Sequence, residues 1–134
     1  GSDVSTKVLK VAEQAIYPMS RLDNMPASFL EKYAEKGVHS QRGHFRINED
    51  LRHKVSFGEA NLMQALPSHL EQFDVIFLRN VLIYFDNETK KSVLERVVQA
   101  LKPGGHLFVS HTENIDQLMD NLERVSPSVF IKNK

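Results

Sequence analysis

Two strongly polar side chains, Arg79 and Asn80, stand directly behind the apolar run Asp74-Val-Ile-Phe-Leu78 in the stretch FDVIFLRNVLIYF. The run is short, almost unbroken and rich in β-branched and aromatic residues. That composition suits a strand buried on both faces, as in a parallel sheet. In open α/β sheets ligands lie just beyond the carboxyl ends of the strands, so this Arg-Asn pair reads as a ligand-facing tip. No Ser/His/Asp arrangement accompanies it. The chain has six histidines and no cysteine, which excludes a disulfide framework and a thiolate metal site. His106 and His111 flank an expected strand an odd number of residues apart and would face opposite sides. No metal is expected.

The elements that must position this tip are legible in order. Val8, Leu9, Val11, Ala12, Ala15 and Ile16 fall at helical spacing behind Ser5 or Thr6, either of which suits an N-cap. Tyr17-Pro18 should end that helix. A second helix is expected from Pro26 or Ala27 to Lys36, closed by Gly37. Val38 to Ile47, polar and rich in His and Arg, reads as a small hairpin or extended excursion rather than a core strand. One helical turn is expected at Asn48 to Lys54, then a strand at Val55 to Phe57. Asn61-Leu62 follows, then a short amphipathic piece with Leu66, Leu70 and Phe73.

Beyond the tip, Val81 to Phe85 is a second apolar run that reaches Asp86-Asn87, a helix start. Val93, Leu94, Val97, Val98 and Leu101 mark one face of a strong helix, which Lys102-Pro-Gly-Gly105 should stop. His106 to Ser110 reads as another buried strand ending in polar residues, His111-Thr-Glu-Asn114. A last helix is expected through Ile115, Leu118, Met119 and Leu122. Leu122 to Val125 and Val129 to Lys132, joined through Pro127, suit a closing antiparallel hairpin. Strand, helix, strand, helix and hairpin together argue an α/β domain with a mainly parallel sheet.

Bulk properties narrow the partners. The 134 residues suffice for one domain or part of one. Lys plus Arg equals Asp plus Glu at 17 each, so no net field draws the chain to nucleic acid or acidic lipid. No apolar run approaches the ~20 residues that cross a bilayer, and direct membrane insertion is not expected. Gly1-Ser2 reads as a cloning scar, which leaves residues 3–134 as a partial domain cut just before Asp3.

FDVIFLRNVLIYFD, then a helix, then LKPGGHLFVSHTE, resembles the CheR-type chemotaxis receptor methyltransferases. The resemblance runs back through GHFRINEDLRHKVSFGEANL and DVSTKVLKVAEQAIYP and forward to LERVSPSVFIK, so it covers essentially the whole chain after the scar. The pairing of RNVLIYF with KPGGHLF is specific, whereas KPGG before an apolar strand marks only some class I methyltransferase. The resemblance implies a class I S-adenosylmethionine-dependent, Rossmann-like three-layer α/β sandwich. A small β-subdomain is inserted at about residues 37–57. The implied sheet order is third, second, first, fourth, fifth, seventh, sixth. Nothing in the chain matches the first strand and its Gly-rich loop, most of the second strand, or the helical N-terminal subdomain.

The implied activity is transfer of a methyl group from S-adenosyl-L-methionine to glutamate side chains of methyl-accepting chemotaxis receptors, in the cytoplasm, with S-adenosylhomocysteine as product. By matched position, Asp3 binds the ribose hydroxyls, and Asn61 and Leu62 flank the adenine. Arg79 and Asn80 lie beside the methionine part, and Tyr84 stands near the methyl group and incoming carboxylate. Arg79 and Tyr84 are thus the implied catalytic residues. Without the resemblance, Asp3 would cap the helix near Ser5, Asn61 would be a turn residue, and Tyr84 a packed core tyrosine. Arg42, His44 and Arg46 are candidates for an acidic receptor-tail contact, in the mode of a strand added to a sheet edge. A glutamate of reference pKa ~4.3 is already ionised at neutral pH, so the chemistry needs alignment more than acid–base help. The truncated chain is expected to be inactive alone and, with strand edges exposed, to form a homodimer or strand swap. The alternative is a non-catalytic receptor-binding or regulatory module with an incomplete cofactor pocket.

Overall fold

A computed structural model describes residues 1–134 apart from Asp23, Asn24, Ser68, His69, Glu71, Gln117 and Lys134. The chain divides into two units, Gly1–Ala60 and Asn61–Lys134.

In the first unit, β1 (Ser2–Asp3) leads into α1 (Thr6–Gln14). Ser5 is the N-cap as expected, its Oγ accepting the Val8 N–H at 3.4 Å. The helix ends early at Ala15, whose φ of 54° is left-handed and whose N–H returns to Val11 and Ala12. Ile16 and Tyr17 therefore leave the helix for β2 (Ile16–Pro18). Leu9 and Ala15 are buried, whereas Val8 and Val11 stay exposed. The second helix is also shorter than its pattern suggested. α2 (Ala27–Tyr33) gives way to β3 (Ala34–Lys36), because Asn48 takes the Lys32 and Tyr33 carbonyls and the chain turns extended. Gly37 closes no helix. A Cβ there would sit 2.2 Å from the Gln41 carbonyl oxygen, so glycine permits a close backbone approach.

The polar excursion forms one arm of a small antiparallel hairpin with β3, as expected. β4 (His44–Ile47) is the centre of a three-stranded antiparallel sheet, β2-β4-β3. Its residues alternate, and Phe45 is buried while His44 and Arg46 face outward. This sheet draws on residues 16–18 and 34–36 as well as on the 37–57 segment. α3 (Glu49–Arg52) follows, capped by the Asn48 side chain. Its turns continue through Val55, which bonds back to Arg52. The expected strand at 55–57 is displaced to β5 (Gly58–Glu59), paired in parallel with β1.

The second unit is a four-stranded sheet with a helix. Its elements are β6 (Phe73–Phe77), α4 (Asn87–Gln99), β7 (Leu101–Phe108), β8 (Leu122–Ser126) and β9 (Val129–Lys132). The order is β6-β7-β9-β8, with β6 and β7 parallel and the hairpin strands antiparallel. This is the fourth, fifth, seventh, sixth portion of the order implied by the resemblance. Val93, Leu94 and Val97 of α4 pack with Leu101, Leu107, Val109 and Phe130 in one core. Asp86 starts α4, its carboxylate accepting the Thr89 N–H at 2.8 Å, and that bond holds its pKa below the usual value. Lys132 closes the other end, its Nζ 2.7 Å from the Val98 oxygen and 2.6 Å from that of Leu101.

Three expectations for this unit are corrected. First, β6 is not buried on both faces. Ile76 faces the core, but Phe77 on the other face is 71% exposed, because β6 is a sheet edge with one open face. Second, Lys102-Pro-Gly-Gly105 does not itself stop the helix, which ends at Gln99. These residues bulge out of β7: pairing with β6 jumps from Phe73 and Leu101 to Val75 and His106. Gly104 has φ 77°, and a Cβ on Gly105 would meet Leu101 and the Lys102 oxygen at 2.9 Å. Third, the described residues from Ile115 to Asn121 form turns, not a helix. Asn114 Oδ1 takes the Asp116 N–H at 2.9 Å, although Leu118 and Met119 still pack on the core. The amphipathic piece at Leu66 to Phe73 includes Ser68, His69 and Glu71, outside the described residues.

Leu94 is fully buried at the centre of this packing. Leu94→Ala is expected to lower stability by about 2–5 kcal/mol through cavity formation, measured by urea denaturation. A change within the error of that measurement would show that α4 is not the core element.

Candidate functional site

Behind β6, Leu78 is buried and its N–H bonds the Phe108 oxygen at 2.8 Å, so Arg79 and Asn80 emerge at the carboxyl ends of two parallel strands. Both are exposed. Asn80 is left-handed, with φ 59°, a region that Asn tolerates better than most residues.

The chain beneath them is held by one carboxylate. Glu113 is 7% exposed. Its Oε1 accepts the Val81 and Leu82 N–H groups at 2.8 Å each. Its Oε2 accepts Ser110 N–H at 2.8 Å and Asn80 N–H at 3.2 Å. Asn80 N–H is shared with Ser110 Oγ at 2.9 Å, and the Ser110 hydroxyl donates to Asn80 Oδ1. Among the described residues no acceptor meets Asn80 Nδ2. Burial alone pushes the Glu113 carboxyl upward, but the backbone N–H groups of Ser110, Leu82, Val81 and Asn80 outweigh it, and the pKa lies below the ordinary value.

The apolar run after the tip is a single 3-10 turn at Leu82–Tyr84. Leu82 has no exposed surface, while Tyr84 is 79% exposed. Tyr84 is therefore not a packed core tyrosine.

Asn61-Leu62 lies in the same unit and is braced by α4. Arg96 Nη1 donates to the Leu62 oxygen and Nη2 to that of Met63, at 2.9 and 3.4 Å. The guanidinium is fixed by Ser92, one turn earlier, through its oxygen and Oγ at 2.9 Å each. Asn61 Oδ1 accepts the Met63 N–H at 2.9 Å, and Leu62 packs on the core.

The remaining candidates belong to the first unit. Asp3 ends β1, half-buried, with Oδ1 accepting the Ser5 N–H at 2.8 Å. One oxygen thus steadies the helix start; Oδ2 has no hydrogen-bond partner among the described residues. His44 and Arg46 share a face of β4, and Arg46 Nε donates to the Gln14 oxygen at 3.3 Å. Arg42 precedes that strand, exposed, at the end of a 3-10 turn.

Glu113, Ser110 and Arg96 did not emerge from the sequence as site residues. A signal for the first two exists. Ser110-His-Thr-Glu113 has the S-x-x-E spacing of a capping box, and Glu113 does reach back to the Ser110 N–H, although turns rather than a helix follow. Two surface depressions, of about 350 and about 410 Å³, are lined by other residues and include none of Arg79, Asn80 or Tyr84.

The family described as "CheR methyltransferase, SAM binding domain" matches residues 1–131. The chain belongs to this family. Among curated relatives, chemotaxis protein methyltransferase 2 of Pseudomonas aeruginosa is 39% identical over 96% of this chain and 46% of its own length. The chemotaxis protein methyltransferase of Salmonella typhimurium is 35% identical over 99% of this chain and 46% of its own. That of Escherichia coli K12 is 38% identical, with the same coverage. The chain spans about half the length of the curated relatives it matches. Membership in the CheR family makes S-adenosylmethionine the cofactor to test against these residues. Within the second unit the Asn80 side-chain N–H groups suit a carboxylate and Leu62 offers an apolar surface, both compatible with such a cofactor.

Because the folded pKa of Glu113 is lowered, its contribution to stability is complete above the unfolded pKa and is lost as pH falls through the folded pKa. Glu113→Gln is expected to cost about 1–3 kcal/mol near neutral pH. The gap between variant and native chain should narrow below about pH 4, as read from denaturation curves across that range. A gap that stays constant into acid would show that the carboxylate charge does not hold the tip.

Proposed function

We propose that this chain carries the cofactor-facing part of an S-adenosylmethionine-dependent methyltransferase acting on glutamate side chains of chemotaxis receptors. The carrying observation is the tip at Arg79-Asn80, held with free amide donors, in a chain that matches the CheR family almost end to end. When bound, the cofactor supplies a methyl group on a good sulfonium leaving group. The residues here bind and orient. Asp3 takes the ribose hydroxyls, Asn61 and Leu62 the adenine, Asn80 the methionine carboxylate. Arg79 and the exposed Tyr84 ring border the place where a glutamate carboxylate is to be aligned, which is the main requirement of the step. A cytoplasmic location is part of this reading. Among the described residues no helix is long and apolar enough to cross a membrane.

A second reading is favoured by β4. His44 and Arg46 present two basic-type side chains on one outward face of a small sheet whose edge strands, β2 and β3, each pair on one side only. Such a surface suits an acidic receptor-tail peptide bound without cofactor.

Calorimetric titration of S-adenosylhomocysteine into the chain decides the first reading, with Asn80→Ala as control. Binding is expected in the native chain and about tenfold or greater weakening in the variant. Equal affinities would remove Asn80 from the site. No heat with S-adenosylhomocysteine, but saturable binding of an acidic peptide, would establish the second reading instead.

Phe73, Val75 and Phe77 of the edge strand are 41%, 44% and 71% exposed, which supports pairing with a second copy. Light scattering at micromolar concentration should report a dimer, and a clean monomer would count against it.

A further inference from the structure

Asn80 is left-handed, and Val81 after it is right-handed, with φ −114° and ψ −45°. This alternation turns successive N–H groups the same way and creates a backbone nest, a concavity that binds anions. Here the nest comprises the N–H groups of Asn80, Val81 and Leu82. The anion inside it belongs to the chain: it is the Glu113 carboxylate, with both oxygens occupied. Ser110 adds a second control. Its Oγ accepts the Asn80 N–H and its hydroxyl donates to Asn80 Oδ1, which settles which way round the carboxamide sits. Oδ1 is thereby turned inward and Nδ2 is left as the outward group.

We propose that Glu113 and Ser110 are a positioning pair that sets Asn80 as a hydrogen-bond donor toward a carboxylate ligand. Glu113 holds the left-handed backbone, and Ser110 selects the outward atom. The partner so selected is an acceptor, such as the carboxylate at the amino-acid end of the cofactor, and not its ammonium group. The ligand assignment rests on the cofactor reading above; the positioning does not. Glu113→Gln is close to isosteric but replaces one acceptor oxygen by a donor NH2. That NH2 must face either Val81 and Leu82 or Ser110 and Asn80, and no longer accepts from them. Ser110→Ala leaves the Glu113 carboxylate in the nest, removes the orientation of the carboxamide and takes away one of the two acceptors of the Asn80 N–H.

The test is nuclear magnetic resonance of the isotope-labelled chain, native, Glu113→Gln and Ser110→Ala, with calorimetric titration of S-adenosylhomocysteine into each. In the native chain, Asn80 carbon shifts and its strong intraresidue Hα–HN contact should report the left-handed conformation. Glu113→Gln is expected to remove that signature and to speed amide exchange at Val81 and Leu82, while α4, β7 and β9 amides keep their shifts. Ser110→Ala should keep the left-handed signature and change the Asn80 side-chain amide resonances, with a shift of the Asn80 backbone amide as it loses one of its two acceptors. Affinity should fall about tenfold or more in each variant, as for loss of one well-made hydrogen bond. Asn80 remaining left-handed in Glu113→Gln would overturn the proposal, as would unchanged affinity after the signature is lost. Should Glu113→Gln fail to fold, Ser110→Ala decides, and unaltered Asn80 side-chain resonances would sink the idea. A native chain with the signature but without S-adenosylhomocysteine binding would remove the cofactor reading, while the Asn80 resonances still judge the positioning.

Discussion

The carboxylate of Glu113 is the fixed point of the second unit. A buried carboxylate is tolerated only where hydrogen bonds replace its water, and here four backbone N–H groups do so. Three come from the chain leaving β6 and one from the chain leaving β7. The bonds therefore tie the ends of two parallel strands together where the sheet alone no longer does. They also dictate direction. Asn80 turns left-handed, Val81 follows inward, and Leu82 is driven into the core, which throws the Tyr84 ring outward.

α4 performs two tasks from opposite sides. One side packs Val93, Leu94 and Val97 onto the sheet. The other carries Ser92 and Arg96, one turn apart, which grip the carbonyl oxygens of Leu62 and Met63. An arginine suits this because its planar fork reaches several acceptors at once. The helix is closed at one end by Asp86 and at the other by Lys132, so the loop it braces is referred to a rigid element.

The sheet shows where this chain departs from a buried α/β strand. In the order implied by the CheR resemblance the fourth strand has a neighbour on each side. Among the described residues β6 pairs only with β7. Its outward row, Phe73, Val75 and Phe77, is written in residues suited to burial and yet is exposed, with Phe77 stacked on Phe108 at 4.8 Å.

Much of the site was legible because local chemistry decided it. A run such as DVIFL has few options besides a strand, and polar residues directly behind it must emerge at the strand end. Asp86 and Asn48 cap helices because their side chains reach N–H groups three residues away. The closing hairpin was set by its own turn. What failed were boundaries and faces, which depend on distant partners. Ile16, Tyr17 and Ala34 to Lys36 look helical by spacing, but β4 recruits them as strands from thirty or ten residues away. The pattern Ile115 to Leu122 has helical period, but Asn114 diverts the first N–H. By itself, then, the sequence determined the family, the α/β character and the identity of the tip. The tertiary structure decided which buried carboxylate holds that tip, which arginine braces the loop at Leu62 and Met63, and which apolar faces stay uncovered. Those are outcomes of convergence between residues some thirty positions apart, and period and propensity carry no information about such meetings.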